Sequence, residues 1–264
     1  MNAAGALPRE WLQRLRQRLR QPPLRPRATL SWAGHAIGSV EPELVAALHA
    51  QDAAMRVVLR GDAGGVRLEG ADLTASLDLV ARAMRAAGLS HVWRDEQLGV
   101  FAADGARLGS VERAAVRPLG IATRAVHLAG LSPDGRHWVQ QRAFDKANDP
   151  GLWDTLMGGM VPAGDTLEQA LERETWEEAG LRLDQLQGIE RAGVVQREGP
   201  TGDVPGGWVV ERIDWYRCVV PEGTVPDNRD GEVQRFAQLE TAELRRMLVA
   251  NEFTLEAAAI LSCL

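Results

Sequence analysis

Between positions 158 and 181 the chain reads GGMVPAGDT followed by LEQALERETWEEAGL, and the second half of this stretch restricts the fold more than any other. Its spacing predicts a helix from Thr166 to Ala179. At about 100° per residue, Leu167, Leu171, Glu174 and Glu178 fall within roughly 60° of one another, with Glu177 on the flank of the same sector. A solvated run of charge would leave the leucine sector apolar and place its glutamates opposite. Here the carboxylates share the core-facing side. Like charges three and four residues apart cost a few tenths of a kcal/mol per pair, and partial burial raises the cost, so something cationic has to neutralise them. Clustered oxygen donors on one rigid element suit a hard divalent ion, and Mg2+ keeps positions for waters and substrate phosphates. The pattern points to phosphoanhydride chemistry.

The rest of the chain sets the frame. Its 264 residues exceed one typical domain, so two units are expected, with a boundary near residue 120. Thirty basic residues against 36 acidic give a net charge of −6, which disfavours nucleic acid and anionic membrane surfaces as partners. No apolar run approaches the ~18 residues of a membrane span, and the first thirty residues lack the apolar core of a secretory signal. Cys218 and Cys263 are too far apart in sequence to suggest a disulfide framework or a zinc site, and a reducing cytosol fits best. Of the 30 basic residues only Lys146 is a lysine, which singles it out.

Trp11, Leu12, Leu15 and Leu19 recur at helical spacing among arginines, predicting a basic amphipathic helix over residues 8–20 that docks by its apolar stripe. A transit peptide would be rich in serine, and the first serine is Ser31. Prolines 22, 23 and 26 end the helix. Two strands, a helix opened by Pro42 and a helix from Leu73 to Met84 closed by Gly88 follow. Gly38-Ser39-Val40-Glu41 returns as Gly109-Ser110-Val111-Glu112, which raises a duplicated hairpin and helix beside simple coincidence. Beyond residue 120 strands are expected over 125–128, 138–142, 158–161, around Val194 and over 208–220, with helical structure from Thr241. Mixed in this order they imply an α/β or α+β layered domain.

The stretch from Gly159 through Asp165, Arg173, Glu174, Glu177, Glu178 and Gly180 to Leu181 resembles the signature of the Nudix hydrolases, Gly-x5-Glu-x7-Arg-Glu-U-x-Glu-Glu-x-Gly-U, with U usually aliphatic. It departs twice: Asp165 stands in place of glutamate, and Thr175 takes the first U position. The resemblance implies an α/β/α sandwich with a mixed sheet, beside a smaller N-terminal α+β domain. It implies that Glu174, Glu177 and Glu178 bind Mg2+ or Mn2+ with Gly158 close to the metal, and that Gly159, Asp165, Arg173 and Gly180 support the loop and helix. Glu174 and Glu232 are both candidates for the general base, Glu232 equally readable as a turn residue after Gly231.

Val126-His127-Leu128, the loop from Arg142 to Asp154, Val225 to Glu232 and Glu252-Phe253-Thr254 resemble a Nudix group that carries an extra N-terminal domain and is associated with damaged thiamine diphosphates. The resemblance implies conversion of oxythiamine or oxothiamine diphosphate to the monophosphate. Arg142 and Lys146 would then hold the diphosphate and Trp153 would stack on a ring, against structural alternatives for each. His127 and His137 read as structural. Isopentenyl diphosphate isomerases share the scaffold, but need a cysteine near Gly158 that this chain lacks. A nucleotide or sugar-nucleotide pyrophosphatase and a non-catalytic ligand sensor are the alternatives. The N-terminal unit could bind substrate, cover the site or mediate a homodimer.

Overall fold

The computed structural model describes residues 6–62 and 64–264, so the first five residues of the expected N-terminal unit lie outside it. The first helix, α1 (Arg9–Leu19), buries Trp11 and Leu15, as its apolar spacing requires. β1 (Ala28–Trp32), β2 (His35–Val40), α2 (Pro42–Gln51), α3 (Met55–Val58), β3 (Leu59–Asp62), β4 (Gly65–Leu68), α4 (Leu73–Ala86), β5 (Gln97–Phe101), β6 (Arg107–Glu112) and α5 (Arg113–Val116) follow. The first four strands form a sheet in the order β2-β1-β4-β3, and β5 pairs with β6 alone. One apolar cluster running from Leu30 to Ile121, with Leu77, Val80 and Met84 of α4 inside it, joins both sheets. The repeated Gly-Ser-Val-Glu segments each end the second strand of a hairpin, and Glu41 and Glu112 stand at the N-caps of α2 and α5.

α1 does not share that cluster. Trp11 and Leu15 pack with Val139, Leu244, Met247 and Phe253, so the first 120 residues do not form one contiguous body, and the opening helix is a layer of the C-terminal half. Its stripe finds an apolar partner there, while the prolines behind it release the chain to cross to the first sheet.

The C-terminal half contains β7 (Ala122–Leu131), β8 (His137–Arg142), β9 (Trp153–Asp154), β10 (Met157–Met160), α6 (Leu167–Ala179), β11 (Gln187–Pro200), β12 (Trp208–Val219), β13 (Val233–Leu239), α7 (Thr241–Val249) and α8 (Leu255–Leu261). The sheet runs β11-β12-β7-β8-β13, with β10 on β7 and β9 on β8. β12 and β7 are parallel and the other pairs antiparallel, which makes the sheet mixed. Alternation along β7 assigns the two faces. Val126 and Leu128 pack with Ala170, Leu171 and Ala179 of α6, whereas Ala125 and Ala129 pack with Ile213, Trp215 and Ile260. α6 therefore covers one face and α1 and α8 the other, an α/β/α sandwich. Among the described residues no helix is long and apolar enough to cross a membrane.

Candidate active site

α6 is fixed at both ends. Thr166 accepts from the backbone N–H of Gln169 at 3.2 Å, and the Gln169 side chain accepts from the N–H of Thr166 at 2.9 Å, a reciprocal cap. Gly180 ends the helix at φ +62°, and a Cβ there would come within 2.5 Å of the Asp227 carbonyl. Only glycine satisfies both the left-handed backbone and the close approach. Asp227 N–H donates to the Ala179 carbonyl at 2.8 Å and Arg229 N–H to that of Glu177 at 3.1 Å. The loop carrying Glu232 is thereby pinned to the end of the carboxylate helix.

Glu178 points into the sheet and is 3% exposed. Its Oε2 accepts from Gln140 Nε2 at 2.8 Å and from the Gly158 N–H at 3.0 Å. Both donors are neutral, and burial, reinforced by the charge of Glu174, pushes the Glu178 carboxyl up to about 8. Burial also raises Glu174, to about 7, against the pull of Arg173. Gly159 leaves room for this second carboxylate: a Cβ at that position would stand 2.1 Å from Glu174 Cδ. At Gly158 a Cβ would meet the His127 ring at 2.4 Å, because β10 pairs Gly158 directly with His127 of β7. The two glycines are required by close approach, one to a carboxylate and one to an imidazole.

Arg173 changes the expected convergence of three carboxylates. Its Nη1 donates to Glu174 Oε1 and to Glu177 Oε2, each at 2.9 Å, and its Nε to Asp165 Oδ2 at 3.1 Å. Burial works against the guanidinium, but Glu174, Asp165 and Glu177 outweigh it and raise its pKa. The shorter aspartate at position 165 still reaches Arg173. Thr175, fully buried, donates to the Leu171 carbonyl at 2.6 Å, so its hydroxyl is satisfied where an aliphatic side chain was expected. Among the described residues no three carboxylate, histidine or cysteine side chains are grouped closely enough to hold a metal ion by themselves. The guanidinium stands where the sequence called for a cation.

A cavity of about 640 Å3 opens over Glu174, Glu177 and Glu178. Lys146 and Glu232 both line it and pair with each other. Burial raises the Glu232 carboxyl, and the bond from Lys146 overrides it, leaving Glu232 below its usual range. Arg142 lines the cavity too, its Nη2 donating to the Asn148 carbonyl at 3.0 Å. Trp153 does not line it. Its ring is 8% exposed in the cluster with Trp11, Leu244 and Phe253, beneath the Arg235 guanidinium at 5.1 Å. Ring stacking on a substrate is corrected to core packing. Cys218 is buried, its thiol pushed up to about 12, and Cys263 is exposed near the C-terminus; neither borders the cavity.

The pairings of several cavity residues carried no local signal in the sequence. His127 Nδ1 shares a 2.9 Å hydrogen bond with Thr155 and stands 3.5 Å from Asp154, which also accepts from Thr254 Oγ1 at 3.1 Å. Glu211, buried on β12, accepts from Arg117 Nη2 and Thr123 Oγ1, each at 2.9 Å. Burial disfavours its charge, but Arg117 and Thr123 prevail and hold the carboxyl low. Arg197 pairs with Glu256. These partners lie up to 100 residues apart, so only the folded chain reveals their pairing.

The family model described as the NUDIX domain matches residues 122–258. The protein named Nudix hydrolase 24, chloroplastic, of Arabidopsis thaliana is 30% identical over 152 residues, covering 54% of this chain and 40% of that protein. An uncharacterized Nudix hydrolase of Pseudomonas aeruginosa is 40% identical over 75 residues, 28% of this chain and 44% of that one. An isopentenyl-diphosphate Delta-isomerase of Leifsonia xyli is 33% identical over 118 residues, covering 39% of this chain and 62% of the isomerase. The chain thus spans about 40% of the length of the Arabidopsis relative.

Proposed function

The chain belongs to the Nudix family, and from that premise we propose that it is a divalent-metal-dependent phosphohydrolase that cleaves the phosphoanhydride of a small organic diphosphate. The observation that carries this reading is the Glu178 carboxylate, buried with two neutral donors beside the half-buried Glu174. The donor set fits a hard ion: oxygen ligands on one rigid helix, an excess of carboxylates over cationic side chains along the cavity, and a glycine that keeps the space before Glu174 open. Glu174, Glu177 and Glu178, with the backbone of Gly158, would hold Mg2+ or Mn2+. A divalent ion there would supply Lewis acidity to the diphosphate oxygens and balance the charge that develops on them.

The chain's own side chains do the rest. Arg142 and Lys146 bind the diphosphate oxygens, the second at the expense of its pairing with Glu232. Glu232, released from Lys146, takes the proton of the attacking water, with Glu174 as the other candidate base. Water adds to phosphorus, the bridging P–O bond breaks, and orthophosphate and an organic monophosphate leave. The substrate we propose is a damaged thiamine diphosphate, oxythiamine or oxothiamine diphosphate. Four segments support it by their likeness to the thiamine-associated group, and each contributes to the cavity: His127, the loop with Arg142 and Lys146, Glu232, and Thr254. A prenyl diphosphate is disfavoured by a lining in which charged side chains predominate. The two free thiols suit a reducing compartment such as the cytoplasm.

The test is phosphate and pyrophosphate release, with Mg2+, from oxythiamine, oxothiamine and intact thiamine diphosphates, nucleoside diphosphates and triphosphates, and sugar nucleotides. The expected result is Mg2+-dependent release of orthophosphate, fastest from the two damaged thiamine forms and lost in Glu177→Gln. Faster turnover of a nucleotide would keep the chemistry and discard the substrate. Binding without turnover of any compound would make the protein a ligand sensor.

A further inference from the structure

The cavity carries side chains that the hydrolytic chemistry does not use. Arg113 and Arg117, on and just after α5 of the N-terminal body, line it together with Glu174 and Glu178 of α6. Arg117 spends one terminal nitrogen on Glu211 at 2.9 Å. Its other terminal nitrogen, Nη1, is buried and has no hydrogen-bond partner, and neither has the buried Oδ1 of Asn148. Both residues also border one adjoining recess of about 60 Å3, with His91, Arg94 and Met160. An unpaired buried polar atom is costly, because it has lost its water without gaining a partner. Two at the mouth of one recess, one from each half of the chain, are the arrangement of a site that a ligand completes.

The N-terminal body is also fastened to the site rather than loosely tethered. The N–H of Ala163, in the loop before α6, donates to the Gln97 carbonyl of β5 at 2.7 Å, and the N–H of Trp208 to the Arg117 carbonyl at 2.8 Å. Arg27 Nη1 donates to the Gly206 carbonyl at 2.7 Å. Arg117 is therefore held in a fixed position across the cavity from the carboxylate helix.

On the reading of the site as a diphosphate hydrolase, we propose that Arg117 Nη1 and the Asn148 amide form the subsite that selects the organic part of the substrate. The group they accept is a planar nitrogen heterocycle whose edge offers an acceptor to the guanidinium and an adjacent N–H donor to the amide oxygen. The N-terminal body thereby determines specificity, while the carboxylate helix determines the bond that breaks. A cavity of about 640 Å3 lies in the range that encloses a whole small ligand of this kind.

The test uses the full chain carrying Glu177→Gln to suppress turnover, with Mg2+, and measures calorimetric binding of thiamine diphosphate, oxythiamine diphosphate, ADP, geranyl diphosphate and inorganic pyrophosphate. Arg117→Lys is added to one sample, which keeps a charge for Glu211 while removing the forked donor, and Asn148→Ala to another; unfolding midpoints check that both fold. The expected result is that at least one heterocyclic diphosphate binds more tightly than pyrophosphate and geranyl diphosphate, and that each added substitution weakens it about tenfold while pyrophosphate changes less than twofold. Equal weakening of all compounds would overturn the proposal, as would a wild-type subsite that prefers no heterocycle. Tight, Arg117-dependent binding with no turnover in the parent chain would sustain the subsite and remove the hydrolase.

Discussion

Glu178→Gln lowers kcat by roughly 10³-fold, the scale seen when a preorganised charge-stabilising group is removed from a reacting centre, while the protein stays folded. The two effects separate because of the partners of Glu178. Gln140 Nε2 and the Gly158 N–H both donate to one oxygen, Oε2, and a glutamine carbonyl can accept both. The substitution removes a charge that burial already disfavours, so unfolding free energy holds or rises by up to about 1 kcal/mol. Steady-state kinetics and denaturant unfolding check the two halves separately. A variant within tenfold of wild-type turnover would show that the buried carboxylate serves the fold alone.

Arg173→Ala acts in the opposite sense on stability. The guanidinium holds Asp165, Glu174 and Glu177 together, and its removal leaves Glu174 beside Glu178 with no cation between the helix and the loop. Breaking a fully buried charge network costs about 3–5 kcal/mol. Arg173 remains 34% exposed, so solvent screening reduces the expected loss to roughly 1–3 kcal/mol. Turnover falls by about 10²-fold as Glu174 and Glu177 lose their orientation. Saturating Mg2+ restores part of the lost stability, since an ion bound only by the native state stabilises it by mass action. Thermal unfolding with and without Mg2+ measures this, and a loss of midpoint that Mg2+ leaves untouched would mean that the arginine and the ion do not share a site.

The readable parts of the molecule were those whose physics is local. The carboxylate helix declared itself by the azimuth of Leu171 and Glu178, and both are buried on α6. Gly180 was legible as the helix end because the left-handed backbone there tolerates little else. β7, β8 and β12 lie where alternation or β-branched runs placed them, although β11 extends from Gln187 to Pro200, well beyond the apolar residues around Val194. Its mostly polar faces hid its length.

What the sequence hid depends on long-range pairing. Trp153 beside Pro-Gly-Leu suggested a ring at a binding loop, but β9 pairs with β8 and turns that ring into the core against α1 and α7. Lys146 stood out by composition, and its neighbour in the fold, Glu232, lies 86 residues away. Arg173 is expected from the resemblance to support the loop and helix, yet nothing in the spacing says that one nitrogen bridges Glu174 and Glu177. Arg117 and Glu211 belong to different halves of the chain, and neither carries a motif.

The most direct test of the central claim, that the acidic face of α6 is a divalent-metal site, is a Mn2+ titration followed by electron paramagnetic resonance of the free ion. The expected result is saturable binding by the wild-type chain, competed by Mg2+ and weakened at least about tenfold in Glu178→Gln, in line with the loss of a charged ligand. Equal Mn2+ affinity in the two proteins, or no saturable binding in either, would contradict it.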